Sequence, residues 1–120
     1  MTVVLVGIGG ALGAMARYGV GLSIGVRDFP WATLAINLVG TFVLAAVLGA
    51  GGESRLGVSA TNFVAVGVLG GFTTFSAFGY ETLTMLRDDR IIAAAGYIGA
   101  SVAGGLLAAI AGYSLGRVLS

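Results

Sequence analysis

The sequence predicts an all-α integral membrane protein with four transmembrane helices per chain. Composition carries part of that prediction: 58% of the 120 residues are hydrophobic and only 9% are charged, whereas a water-soluble domain carries about 25% charged residues. Distribution carries the rest, because no charged side chain occurs in residues 1–16, 31–50, 56–80 or 91–116. A soluble fold with this mean hydropathy of +1.04 would leave large apolar patches in water. Disorder needs low hydrophobicity and high net charge. A membrane β-barrel would alternate polar and apolar residues with period 2, and no stretch here does so.

A helix needs about 20 apolar residues to cross the ~30 Å hydrocarbon core. The first helix is expected over residues 2–24, reading through Arg17, and no basic residue precedes it as in a cleaved leader. The second is expected over 31–51, after Pro30, which suits a helix start, and with Trp31 at interfacial depth. The third and fourth are expected over 57–86 and 90–117. Most of the charge falls in the connections Arg27-Asp28-Phe29-Pro30, Gly51-Gly52-Glu53-Ser54-Arg55 and Arg87-Asp88-Asp89-Arg90. The whole chain, 1–120, reads as one four-helix domain. Its 22 glycines suit the close helix packing that small residues permit in lipid, with Gly9/Gly13 in helix 1 and Gly96/Ala100/Gly104 in helix 4 at the right spacing.

Several chemistries are excluded. A net charge of +1 gives no footprint for nucleic acid. With no Cys and no His there is no disulfide framework, no thiolate metal site and no histidine base, and no nucleophile–base pair is apparent, so the chain is not expected to be an enzyme. A proton-coupled antiporter of similar size needs a carboxylate within a membrane helix, and helix 1 has none.

Polar residues inside the spans need a reason. Asn37 lies seven residues into helix 2, with Gly40 and Thr41 on its face. Its amide can make an interhelical hydrogen bond or donate to an anion. In helix 3, Gly70-Gly71-Phe72-Thr73-Thr74-Phe75-Ser76-Ala77-Phe78 makes a poor continuous helix, so that helix is expected to break near its middle. Carbonyls freed around Gly70 and Thr73 can ligate a cation, the hydroxyls can donate to an anion, and Phe75 and Phe78 share one side.

These motifs, together with Gly9-Gly10-Ala11-Leu12-Gly13-Ala14-x-x-Arg17-Tyr18 and Thr33-Leu34-x-x-Asn37-Leu38-x-Gly40-Thr41-Phe42, resemble the Fluc/CrcB fluoride channel family. The resemblance covers nearly the whole chain. It implies a channel that exports F⁻ passively across the cell (inner) membrane, built as an antiparallel dual-topology homodimer, or a heterodimer with a paralogue, with two pores. It further implies an F⁻ pathway of Asn37, Thr74, Phe75, Ser76, Phe78, Tyr97 and Ser101, with Arg17 at the aqueous vestibule. Gly70 and Thr73 match the carbonyl ligands of a structural, untransported Na⁺ on the two-fold axis. Ala77 and Gly79 stand where relatives commonly carry polar side chains, and Gly105 lacks the hydroxyl that would extend the line of Tyr97 and Ser101. Glu81 is family-like but has no role from sequence.

Arginine counts agree with dual topology. Arg55 and Arg117 fall on one side, and Arg27, Arg87 and Arg90 on the other, so the positive-inside bias is nearly absent. A single cysteine introduced at Ser54 is expected to label from both faces of the membrane. Labelling from one face only would show a single orientation.

Overall fold

The computed structural model describes residues 1–120, which form helices and short connections without strands. Four helical stretches are long and apolar enough to cross a membrane: α1 (Thr2–Ile24), α2 (Trp31–Gly49), a third span (Val58–Arg87) and a fourth (Ile91–Leu119). The chain is a multi-pass membrane protein. Between α2 and the third span, where the sequence suggests only a connection, Gly52–Leu56 form a further short helix, α3. Gly51 starts it at φ +105°, a left-handed conformation that glycine adopts without strain.

The third span is not one helix. It runs as α4 (Val58–Asn62), a π-helical stretch (Phe63–Leu69), α5 (Gly70–Phe72) and, after an interruption, α6 (Phe75–Arg87). The interruption lies at Thr73 and Thr74, whose φ/ψ of −79°/155° and −149°/115° are extended. The interruption thus lies within the expected Gly70–Phe78 stretch, and Gly70 itself remains helical at −64°/−39°. Gly71 serves close packing: a Cβ there would lie 3.0 Å from the Gly10 Cα. The fourth span, α7 (Ile91–Leu119), is continuous.

The helices pack as two pairs, α1 along the third span and α2 along α7. The partners in each pair run in the same direction, since Gly9 meets Gly67 and Gly13 meets Phe72, while Leu38 meets Gly104 and Ala46 meets Gly116. Both seams are backbone on backbone. A Cβ on Gly13 would overlap the Val68 carbonyl, and one on Gly112 would overlap that of Phe42. In α7 the close approach therefore uses Gly112 and Gly116, whereas Gly96 faces open space and Gly104 touches only the Leu38 side chain. Lipid offers no hydrophobic drive between helices, so such approach supplies the dispersion contact that holds them.

At the end carrying the α1–α2 loop, Leu34, Met85, Ala94 and Tyr97 form a buried cluster. The turn into α7 is a Schellman cap: the Arg90 N–H donates to the Met85 carbonyl at 2.8 Å and that of Asp89 to Leu86 at 3.2 Å. Asp89 takes the left-handed position, φ 59°.

Gly13→Ala is expected to destabilise the protein by about 1–3 kcal/mol, because the backbone facing it cannot move aside cheaply. Gly19, with nothing within 4 Å of its Cβ position, is the control. Its change to Ala is expected to be neutral or stabilising by up to about 1 kcal/mol, as read by unfolding in detergent.

Candidate functional site

The break in the third span is built by one side chain from α2. Asn37 Nδ2 donates to the Thr74 carbonyl at 3.0 Å, and the Thr74 N–H donates to Asn37 Oδ1 at 2.8 Å. The primary amide thus pairs with the Thr74 backbone as a neighbouring strand would, satisfying both groups that helical geometry would otherwise satisfy. Had the helix continued, the Thr74 N–H would bond the Gly70 carbonyl. That carbonyl is released from its i+4 partner, and Gly70 is exposed on the chain's surface.

Each flank is capped by its own hydroxyl. Thr73 Oγ1 donates back to the Leu69 carbonyl at 2.9 Å, closing the helix before the break. Thr74 is the N-cap of α6, its Oγ1 accepting from the Ala77 N–H at 3.2 Å and lying 3.2 Å from Ser76 Oγ. Asn37 is oriented in turn within α2, where Thr41 Oγ1 donates to its carbonyl at 2.6 Å. A groove of about 260 Å³ opens at the break, lined by Asn37, Thr41, Gly70, Thr73, Thr74 and Phe75 among others.

From the break a line of rings leads toward the α1–α2 loop. Phe75 is 82% exposed, and its ring centroid lies 5.7 Å from that of the half-buried Phe78. Phe78 packs at 5.1 Å on Tyr97, which is fully buried. The Tyr97 hydroxyl donates to Glu81 Oε2 at 2.8 Å, and Thr33 Oγ1 donates to Oε1 at 2.7 Å. One turn along α7, the Ser101 hydroxyl is buried with no partner. Arg17 reaches the break rather than a helix end: its Nη1 donates to the Thr73 carbonyl at 3.5 Å, a long contact.

Of the residues picked out from the sequence, Asn37, Thr73, Thr74, Phe75 and Arg17 thus gather at the break with Gly70. Phe78 and Tyr97 form a second group beside Glu81, and Ser101 stands alone farther along α7. One contributor has no role in the sequence reading: Thr33, which bonds Glu81 and is signalled by its position one turn before Asn37 on the same helix face.

A model of the family described as CrcB-like protein, Camphor Resistance (CrcB), matches residues 4–113. The chain belongs to this family. It is 46% identical over 119 residues to a protein of Thermus thermophilus named fluoride-specific ion channel FluC, covering 96% of this chain and 93% of that one. Likewise, it is 46% identical over 103 residues to fluoride-specific ion channel FluC 2 of Listeria innocua, covering 85% of this chain and 80% of that one. Both relatives are ion channels by name, not enzymes.

For a cation, the chain offers no cluster of His, Cys, Asp or Glu. It offers carbonyl oxygens: that of Gly70, freed by the break, and that of Thr73, whose two lone pairs are only partly engaged by Arg17. Neutral oxygen donors without a carboxylate suit a hard monovalent cation.

Asn37→Ala is expected to cost about 1–3 kcal/mol for each Thr74 backbone group left unpaired. Asn37→Asp is expected to fare no better, since an ionised carboxylate turns an acceptor toward the Thr74 carbonyl. Thermal unfolding in detergent checks both, and a melting point unchanged in either variant would contradict the clamp.

Proposed function

We propose that the chain is a fluoride-selective channel that lets F⁻ leave the cell passively and so lowers cytoplasmic fluoride. The observation that carries this reading is the near-full-length similarity to proteins named fluoride-specific ion channels. The finer form of the proposal is an antiparallel, dual-topology dimer of two identical copies or of paralogues. It has two pores and a structural Na⁺ on the axis, held by the Gly70 and Thr73 carbonyls of both chains; bound there, the ion would neutralise carbonyls that lipid leaves without donors.

The chemistry of the site supports the reading. Fluoride is small, hard and strongly hydrated, and accepts hydrogen bonds without donating any. A pathway for it needs donors that replace water but no fixed cation that traps it. Asn37 has a second Nδ2–H beyond the one given to Thr74. The hydroxyls of Thr74 and Ser76 sit at the start of α6, and that of Ser101 is buried without a partner. Phe75, Phe78 and Tyr97 form a row of tilted rings leading from the break, and the edge of such a ring is the positive rim of its quadrupole. Arg17 would draw anions in from the vestibule, its guanidinium engaged by the Thr73 carbonyl rather than free to trap an ion.

Liposomes holding the purified protein are expected to lose F⁻ rapidly and retain Cl⁻. Comparable chloride efflux would overturn the reading. Phe75→Ile or Phe78→Ile is expected to cut F⁻ flux while the dimer purifies intact. Normal flux per surviving dimer would make both rings plain packing. Replacing Na⁺ throughout by a large organic cation is expected to lower flux, and unchanged flux after prolonged removal would leave the break as a bend without an ion.

A further inference from the structure

Beyond Phe75, Phe78 and Tyr97 the ring line continues. The Tyr97 ring meets Phe29 at 5.5 Å with planes at 81°, an edge-to-face contact, and Phe29 meets Trp31 at 4.7 Å. Five rings therefore run from the break to the α1–α2 loop, each spaced within the range of attractive aromatic pairs, about 4.5–7 Å. The far end is open. A cavity of about 350 Å³ is walled there by the loop, including Arg27, Phe29 and Trp31, and has Thr33 and Glu81 in its lining. Phe29 lines this cavity and touches Tyr97, so it stands between the open end and the ring row.

Phe29 sits on a loop but is half-buried, packed against the Leu34–Met85–Ala94–Tyr97 cluster. What ties the loop down is Arg90, the residue preceding α7. Its Nη1 donates to the Asp28 carbonyl at 2.6 Å, across 62 positions of sequence. The other loop arginine does not share this task, since Arg27 Nε turns back to the Ile24 carbonyl at 3.1 Å. A guanidinium held against a backbone carbonyl is a charge-assisted bond of fixed direction, and the carbonyl it holds immediately precedes Phe29. The charges lining this cavity are mixed, with Asp28, Glu81 and Asp88 facing Arg27 and Arg90. Net positive charge is therefore not what this end presents to an anion, and ring edges with neutral donors are left to do so.

We infer that Phe29 is a further ring of the ion pathway, at its loop end, and that Arg90 is the residue that positions it. The inference rests on the channel reading above. It adds a pathway residue outside the membrane helices and gives a role to an arginine at the turn between the last two spans.

Fluoride efflux and quenching of Trp31, the chain's one tryptophan, test it together. Phe29→Leu keeps apolar bulk but removes the ring, and is expected to slow F⁻ efflux about tenfold with unchanged dimer elution. Phe29→Tyr, which keeps the ring, is expected to stay near the wild-type rate, and Phe29→Met replaces the leucine variant if that fails to assemble. Arg90→Ala is expected to make Trp31 more accessible to acrylamide and to slow efflux, with Arg90→Lys, still a donor, restoring part of both. Wild-type efflux in the ringless Phe29 variant would overturn the pathway role. Slowed efflux in Arg90→Ala with unchanged Trp31 quenching would overturn the positioning role. Absence of F⁻ efflux from the wild type would instead overturn the channel reading, and the Trp31 response to Arg90→Ala would still report the tie.

Discussion

A peptide group taken out of its helix inside hydrocarbon must be paired by something else, because an orphaned N–H or C=O there costs several kcal/mol. In this chain the substitute is the Asn37 amide, which bonds both polar atoms of the Thr74 backbone. The rest of the site follows from that pair. It lets Thr73 and Thr74 stay extended, allows α6 to start afresh at Phe75, and sets the side on which Phe75 and Phe78 emerge. It also separates the Gly70 carbonyl from its usual donor.

The clamp is itself supported from both pairs of helices. Gly40 brings α2 so close that a Cβ there would overlap the Thr73 methyl group, so the amide reaches the third span without stretching. The glycine seam between α1 and the third span holds the other flank, with Gly13 against Val68 and Phe72, one turn before the break. Tight seams and an open break are thus two parts of one design: the packing is dense where only helices meet, and interrupted where polar groups gather.

The four spans are legible because charge-free runs and hydrocarbon thickness leave little freedom in where helices lie. The interruption of the third span is legible too, from hydroxyl and glycine residues at mid-depth. The break falls inside the Gly70–Phe78 stretch; what composition does not express is the interaction that fixes it at Thr73–Thr74, which comes from Asn37, far away in sequence. The same limit explains Glu81, whose partners Thr33 and Tyr97 belong to other helices, and Phe29, whose preceding carbonyl is bonded by Arg90, 62 positions after Asp28. The π-helical stretch before the break has no composition signature at all. Residues chosen by motif fall near the break or along the ring line because a motif preserves what local pattern cannot express, namely which helices touch.

Splitting the third span has an electrical consequence. Backbone dipoles that would cancel along a continuous helix are left with two facing ends at mid-membrane. The end formed by α5 shows carbonyl oxygens, a partial negative charge. The start of α6 shows N–H groups, of which Thr74 Oγ1 takes only that of Ala77. One interruption thus provides, at a single depth, a surface of carbonyl oxygens and another of N–H donors, with the Arg17 guanidinium beside them. Partial charges of opposite sign then stand a few residues apart in a layer where a buried carboxylate or ammonium group would be costly.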